Sequence, residues 1–241
     1  MREIKADLHV HTCLSPCAEP EMVPTAIIDQ AMRTGLDIIG ICDHNSAENV
    51  GAVLEAGRRK DFPVIPGMEL TSREEVHVLG LFRDEVGLSA LQKLVYANLP
   101  GENDPELFGQ QTIVDEHDEV IGSTTKLLIG ATGFSLEETV HVIHEAGGLA
   151  IAAHIDRERF GLVGQLGLVP EGLEVDAMEV SPYAELEDWP DYTVVTFSDA
   201  HVLRDVGRSS TSFLVEEASL EEIGKALRNE DGRGIVAAGG G

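Results

Sequence analysis

The chain has 241 residues, 43% of them hydrophobic and 25% charged, which suits a globular protein with a large core. Its 17 Lys and Arg stand against 43 Asp and Glu, a formal net charge of −26 that argues against a broad basic surface for long nucleic acids. No apolar run approaches the ~20 residues of a membrane span, and the opening MREIKAD lacks an apolar signal-peptide core, so a cytoplasmic location is expected.

The first predicted strand, Ile4 to Thr12, reads IKADLHVHT. Strict alternation would send Asp7, His9 and His11 to one face and Ala6, Leu8 and Val10 to the other. A helix over Pro24–Thr34 follows, ended by Gly35, and then a buried strand over Asp37–Cys42. Ala47–Lys60 reads as the next helix with Ser46 as its N-cap. Phe62–Glu69 and Glu75–Phe82 read as strands, the second with His77, Leu79 and Leu81 on one face, and Leu88–Leu99 as a helix. Pro100–Thr132 is the least regular stretch. Ser135-Leu-Glu-Glu138 has the form of a capping box opening a helix that stops at Gly147–Gly148. Strands are predicted at Leu149–His154, Val175–Val180, Thr193–Ser198 and Ser210–Val215, with a glycine-spaced loop or short helix over Gly161–Pro170. Ser219 caps the last helix. Seven or eight strands alternating mostly with helices point to a single α/β domain of the parallel-barrel type over residues 1–230, with 231–241 as a Gly/Ala-rich tail expected to fray.

Similar short motifs close several of the apolar runs: CDHN at Cys42–Asn45, GMEL at Gly67–Leu70, VHVLG at Val76–Gly80, AAHI at Ala152–Ile155 and SDAH at Ser198–His201. With His9 and His11 they hold six of the nine histidines. Each motif alone is more often an exposed or satisfied histidine. Together they supply enough imidazoles and carboxylates for more than one ion, at the strand ends where barrels gather ligands. A mixed His/carboxylate set suits zinc, manganese or iron. Such ions acidify water to a pKa of roughly 7, which makes phosphate-ester hydrolysis the natural chemistry. Gly-x-Ser-x-Gly and P-loop signatures are absent from the sequence. His141 and His144 are assigned to a helix face away from the strand ends, and His117 has no assigned role. The odd set of Cys13, Cys17 and Cys42 is no disulfide framework, and reduced thiols are expected.

In this order, DLHVHT, CDHN, Glu69, VHVLG, His154 and SDAH closely resemble the motifs of the polymerase and histidinol phosphatase (PHP) superfamily, over roughly Ala6 to His201. The resemblance implies a distorted TIM-like (β/α)7 barrel, two or three divalent ions and phosphoesterase activity. Carried over, His9, His11, Glu69 and Asp199 hold one ion, and Glu69 bridges to a second held by His77 and His154. His44 and His201 hold a third. Glu69 and Asp199 are the carboxylates on which catalysis would depend. Where trinuclear members often place a histidine or aspartate, this chain has CLSPCAEPE, so Cys17 or Glu19 takes that place or the centre has two ions. Arg157, Arg159 and Arg204, with Arg208, are candidate phosphate contacts. The implied substrate is a small phosphorylated molecule: a nucleotide, a nucleotide bisphosphate or a short oligonucleotide end. Histidinol phosphate and an inactive metal-binding regulatory barrel are the alternatives.

Overall fold

The computed structural model describes residues 1–181 and 192–240. Eleven strands and seven helices follow one another in the order β1 (Arg2–Val10), α1 (Pro24–Arg33), β2 (Ile38–Ile41), α2 (Val50–Arg59), β3 (Val64–Thr71), β4 (His77–Leu81), α3 (Glu85–Asn98), α4 (Pro105–Phe108), β5 (Thr112–Val114), β6 (Val120–Ser123), α5 (Leu136–Glu145), β7 (Leu149–Ala152), α6 (Leu162–Leu166), β8 (Ala177–Glu179), β9 (Val194–Val195), β10 (Ser209–Val215), α7 (Leu220–Leu227) and β11 (Gly234–Gly240). Nine strands form one curled sheet in the order β11-β10-β1-β2-β3-β4-β7-β8-β9, and β5 pairs with β6 separately. The curl brings the chain just beyond β9 back to β1. Val10 and Ala200 bridge in parallel there, with His11 N donating to Ala200 O at 3.0 Å and Ala200 N to His9 O at 3.2 Å.

Apolar side chains divide between the two faces of this curl. Ile4, Ala6, Leu8, Ile38, Leu79, Leu81, Ile151 and Phe197 fill the inside. Val10, Ile39, Ile41, Val78 and Ala152 face outward, beneath Ile27 and Ile28 of α1, Val53 of α2, Leu91 of α3 and Ile143 of α5. The predicted alternation of the first strand breaks near its end. A register shift in the β1–β2 pairing between Asp7 and Val10 leaves Leu8 inside and Val10 outside. Gly40 is required here, because a Cβ on it would stand 2.6 Å from the Leu8 carbonyl oxygen.

The sheet is that of a distorted barrel in a mixed α/β domain, and it departs from the expected all-parallel order at β10, which is antiparallel to β1, and at β4. That strand runs antiparallel to both β3 and β7. Five residues, 72–76, separate β3 from β4, too few for the crossover of a dozen or more that a parallel pair needs. Helix α2 begins at Val50 rather than Ala47. Ser46 does not cap it, since its hydroxyl bonds to the Tyr96 hydroxyl at 2.7 Å. The capping box at Ser135 and Glu138 and the Ser219 cap form as predicted. Gly234–Gly240, within the stretch expected as a tail, form β11, which pairs along the outer edge of β10 from Leu214↔Gly234 to Ser209↔Gly240. Gly241 lies outside the described residues. Without β11 the outer edge of β10 would present unpaired backbone groups, and Arg233 pins the start of the tail by donating to both oxygens of Glu222, at 3.0 and 3.1 Å. The irregular 100–132 stretch contains α4 and the β5–β6 hairpin, is held where Asn45 Nδ2 donates to Leu128 O and Gly130 O, and contributes Ile129 to the cavity lining. No described helix is long and apolar enough to cross a membrane.

Candidate metal centre

One mouth of the curl collects the predicted residues. His9 is the penultimate residue of β1 and His11 follows its end. His44 stands beyond β2, bridged to Glu69 of β3, and His77 is the first residue of β4. His154 follows β7, while Asp199 and His201 follow β9. The reversed direction of β4 explains why its N-terminal residue, rather than its last, reaches the same mouth as the ends of β1, β2 and β3. All of them border or sit beneath a cavity of about 300 Å³.

Glu69 is the hub. Five imidazole nitrogens lie within 3.4 Å of its carboxylate: His77 Nδ1 and His44 Nδ1 at 2.8 Å, His154 Nε2 at 3.2 Å, His9 Nε2 at 3.3 Å and His11 Nε2 at 3.4 Å. Next to it, Asp199 Oδ1 is 3.2 Å from His9 Nε2 and 3.1 Å from His11 Nε2. Three sets of donor atoms each converge closely enough for one ion: His9, His11 and Asp199; His44, Glu69 and His77; and His11, His44 and His201. His44 and His201 fall in one of these sets, and His44 Nδ1 also lies 2.8 Å from Glu69 Oε2. Cys17, an exposed residue on the cavity rim, brings its Sγ to 3.1 Å from His44 Nε2. Glu19 is exposed and does not line the cavity.

The hydrogen-bond roles test whether divalent ions fit. Ser15 Oγ gives its proton to Asp43 Oδ1 at 2.7 Å, so it must accept from His11 Nδ1 at 2.9 Å. His9 Nδ1 donates to Glu179 Oε2 at 2.9 Å, and His201 Nδ1 to the Asp199 carbonyl oxygen at 2.9 Å. In all three imidazoles the proton is fixed on Nδ1, and the lone pair of Nε2 is left for the cluster, the tautomer of a metal-ligating histidine. His44 Nδ1, His77 Nδ1, His154 Nδ1 and Glu69 Oε2 are buried without a hydrogen-bond partner. Two of those nitrogens approach Glu69 at 2.8 Å without the alignment of a donor and an acceptor. Orphaned polar atoms of this kind are costly unless a cation satisfies them. Divalent metal ions fit this donor set.

Electrostatics carry the same message. Burial alone would push the Glu69 carboxyl up, but His77, His9 and His44 outweigh it and hold it well below the usual carboxylate range. Asp199 is likewise held low against its burial by His9 and His11. Burial also opposes ionisation of Cys17, yet hydrogen bonds to His201 and His44 bring its thiol down to about 6. Cys13 and Cys42 are buried and pushed the other way by burial, as structural thiols are.

Of the four arginines singled out as phosphate contacts, Arg157 lines the cavity and pairs with Asp199 Oδ2, while Arg159, Arg204 and Arg208 are exposed and outside the lining, Arg208 donating to Asp205 Oδ1 at 3.2 Å. His141 and His144 stand on α5 away from the mouth, paired with Glu145 and Asp176, and His117 is exposed beside Arg59. The sequence reading overlooked Glu179, Ser15 and Phe160. Glu179 did carry a signal: the carboxylate of AMEV closes an apolar strand just as Glu69 does in GMEL. Ser15 carried none. Phe160 lines the cavity beside His77 from the loop after β7.

Comparison with known proteins agrees with this geometry. The model of the PHP domain matches residues 7–164, and that of the PHP-associated family matches residues 191–231. An uncharacterized protein of Bacillus subtilis, YqxK, is 26% identical over 98% of this chain and 65% of its own length. A 5′-3′ exoribonuclease of Haemophilus influenzae is 20% identical over 62% of this chain and 68% of its own. Among solved structures, the lesion-specific endonuclease Q of Pyrococcus furiosus superposes with a TM-score of 0.71 at 19% identity, over 97% of this chain and 58% of that one. The chain thus spans about two thirds or less of the length of YqxK and of the endonuclease. The ordered motifs, their convergence on one mouth and the match over most of the chain place it in the PHP family.

Proposed function

We propose that this chain is a metal-dependent phosphoesterase acting on nucleotides, nucleotide bisphosphates or the ends of short oligonucleotides. The observation that carries the reading is the crowding of five imidazole nitrogens onto the single buried carboxylate of Glu69. Hydrogen bonding cannot use so many nitrogens at once, whereas divalent ions held by that carboxylate and these imidazoles would. When bound, paired divalent ions acidify water to a pKa of roughly 7 and neutralise charge on a phosphoryl group.

The residues of the chain supply the rest. His9, His11, Glu69 and Asp199 hold one position, Glu69 with His77 and His154 a second, and His44 and His201 with Cys17 a third. Glu179 and Ser15 fix the proton on the far nitrogen of His9 and His11, so neither ring can turn away. Arg157 lies on the cavity wall, paired with Asp199, where its guanidinium can exchange that partner for a substrate phosphate. The names of the related exoribonuclease and endonuclease support a phosphate diester or monoester of a nucleotide as substrate. The test is hydrolysis of a panel of nucleotides, bisphosphates, histidinol phosphate and short oligonucleotides before chelation, after it, and after manganese, zinc or iron is restored. Activity should vanish and return with the metal, and Asp199→Ala should abolish it in a protein that still folds. Full turnover by the chelated protein would rule the reading out.

A further inference from the structure

The loop between β7 and α6 carries three cavity residues within seven positions: His154, Arg157 and Phe160. Phe160 is fixed twice to His77. Its carbonyl oxygen accepts from His77 N at 3.0 Å, and its ring lies on the His77 imidazole with centroids 4.5 Å apart and planes 16° from parallel. To stand there it takes φ +61°, a left-handed backbone that bulky side chains rarely adopt. The loop has no slack to relieve this, since a Cβ on the adjacent Gly161 would meet the Arg157 carbonyl oxygen at 2.3 Å. Core packing does not explain the cost: the residue is 36% exposed. A costly backbone therefore holds a partly exposed aromatic ring at the lip of the cavity, whose lining also includes Arg157 and the apolar Ile129.

We propose that Phe160 is the specificity-determining residue of this site, a platform on which the unpaired base of a nucleoside phosphate stacks while its phosphate reaches the metal positions and Arg157. This rests on the phosphoesterase reading and deepens it by naming the part of the substrate that is recognised apart from the reacting phosphate. Stacking on one aromatic face tolerates any base, because every base has a π face. It also demands that the base be unstacked from its neighbours, which suits a free nucleotide or the frayed end of a strand rather than the interior of a duplex.

The test measures binding and hydrolysis side by side in the manganese-loaded protein, for adenosine 5′-phosphate, ribose 5-phosphate and histidinol phosphate. Adenosine 5′-phosphate should bind more tightly than ribose 5-phosphate by about 5- to 150-fold, the range for one stacked base. Phe160→Leu should collapse that preference towards one, and Phe160→Trp should retain it. Because the ring rests on His77, metal content is measured for each variant. A contact between adenine protons and the Phe160 ring, sought by NMR in the wild-type protein, gives an answer that needs no variant. A wild-type protein without the preference, a metal-replete Phe160→Leu that keeps it, or adenine bound without that contact would each overturn the proposal, as would tighter binding of histidinol phosphate than of the nucleotide. A protein that binds with the stated preference and, loaded with manganese, zinc or iron, hydrolyses none of these nor any nucleotide bisphosphate or short oligonucleotide would leave the platform standing and remove the phosphoesterase reading.

Discussion

Glu179 offers the sharpest quantitative test of the centre. Its Oε2 accepts from His9 Nδ1 at 2.9 Å, with the His9 side chain fully buried and that of Glu179 only 1% exposed. Among the described hydrogen bonds this is the one that fixes the His9 ring. Partners of this kind typically govern metal affinity by 10- to 100-fold, or about 1.4–2.7 kcal/mol. Glu179→Gln keeps an amide oxygen able to accept from Nδ1 and loses only the charge, so the loss should lie near 10-fold. Glu179→Ala leaves a buried N–H without an acceptor, at a cost of about 1–3 kcal/mol, and frees the ring to turn. Its loss should approach 100-fold. Competition for zinc against a chromogenic chelator reads both values directly, without recourse to catalysis. Wild-type affinity in Glu179→Ala would refute the reasoning, because His9 would then be either no ligand or not oriented from behind.

Three other outcomes are expected. Cobalt loaded into the wild-type protein should show a thiolate-to-metal charge-transfer band that Cys17→Ser removes; an unchanged spectrum would take Cys17 out of the centre. Glu222 is brought down to about 2, from a usual 4.5, chiefly by its hydrogen bond to Arg233. Its folded value lies below its unfolded one, so its contribution to stability is present above about 4.5 and is lost as pH falls towards about 2. Thermal melts across that window should slope less steeply in Glu222→Gln, and parallel slopes would contradict the assignment. Finally, a net charge of −26 should make kcat/KM fall from mononucleotides to long oligonucleotides, most steeply at low salt. A preference for long strands that weakens with added salt would instead reveal a locally basic groove.

Most of the candidate ligand positions were legible because they close an apolar run, where a titratable side chain is conspicuous against Val, Ile and Ala; His77 instead opens one. Glu179 was equally conspicuous in AMEV, but no histidine lies beside it in the sequence; its partner, His9, is 170 residues away. The direction of β4 was legible in principle, since the gap after β3 is too short for a crossover, yet its apolar residues read the same in either direction. The platform at Phe160 was not legible. Its role depends on a left-handed backbone and on a neighbour, His77, that the fold alone brings near. The β11 pairing was hidden for a different reason: a Gly/Ala tail has little strand propensity of its own and is ordered by the open edge it meets.

The antiparallel turn into β4 divides the centre into two parts of very different range. Glu69 and His77 lie on one tight hairpin, Thr71 paired with His77 and Glu69 with Leu79, so this half of the site comes together as soon as a few residues fold. His11 and Asp199 meet only across 188 residues, at the seam where the end of the sheet returns to its beginning. Ions held by both halves, as proposed, would therefore clasp the long-range closure of the sheet to its local hairpin. Occupancy of the proposed centre would then report that the sheet has finished curling, because a chain whose seam has not closed would lack one of its donor sets.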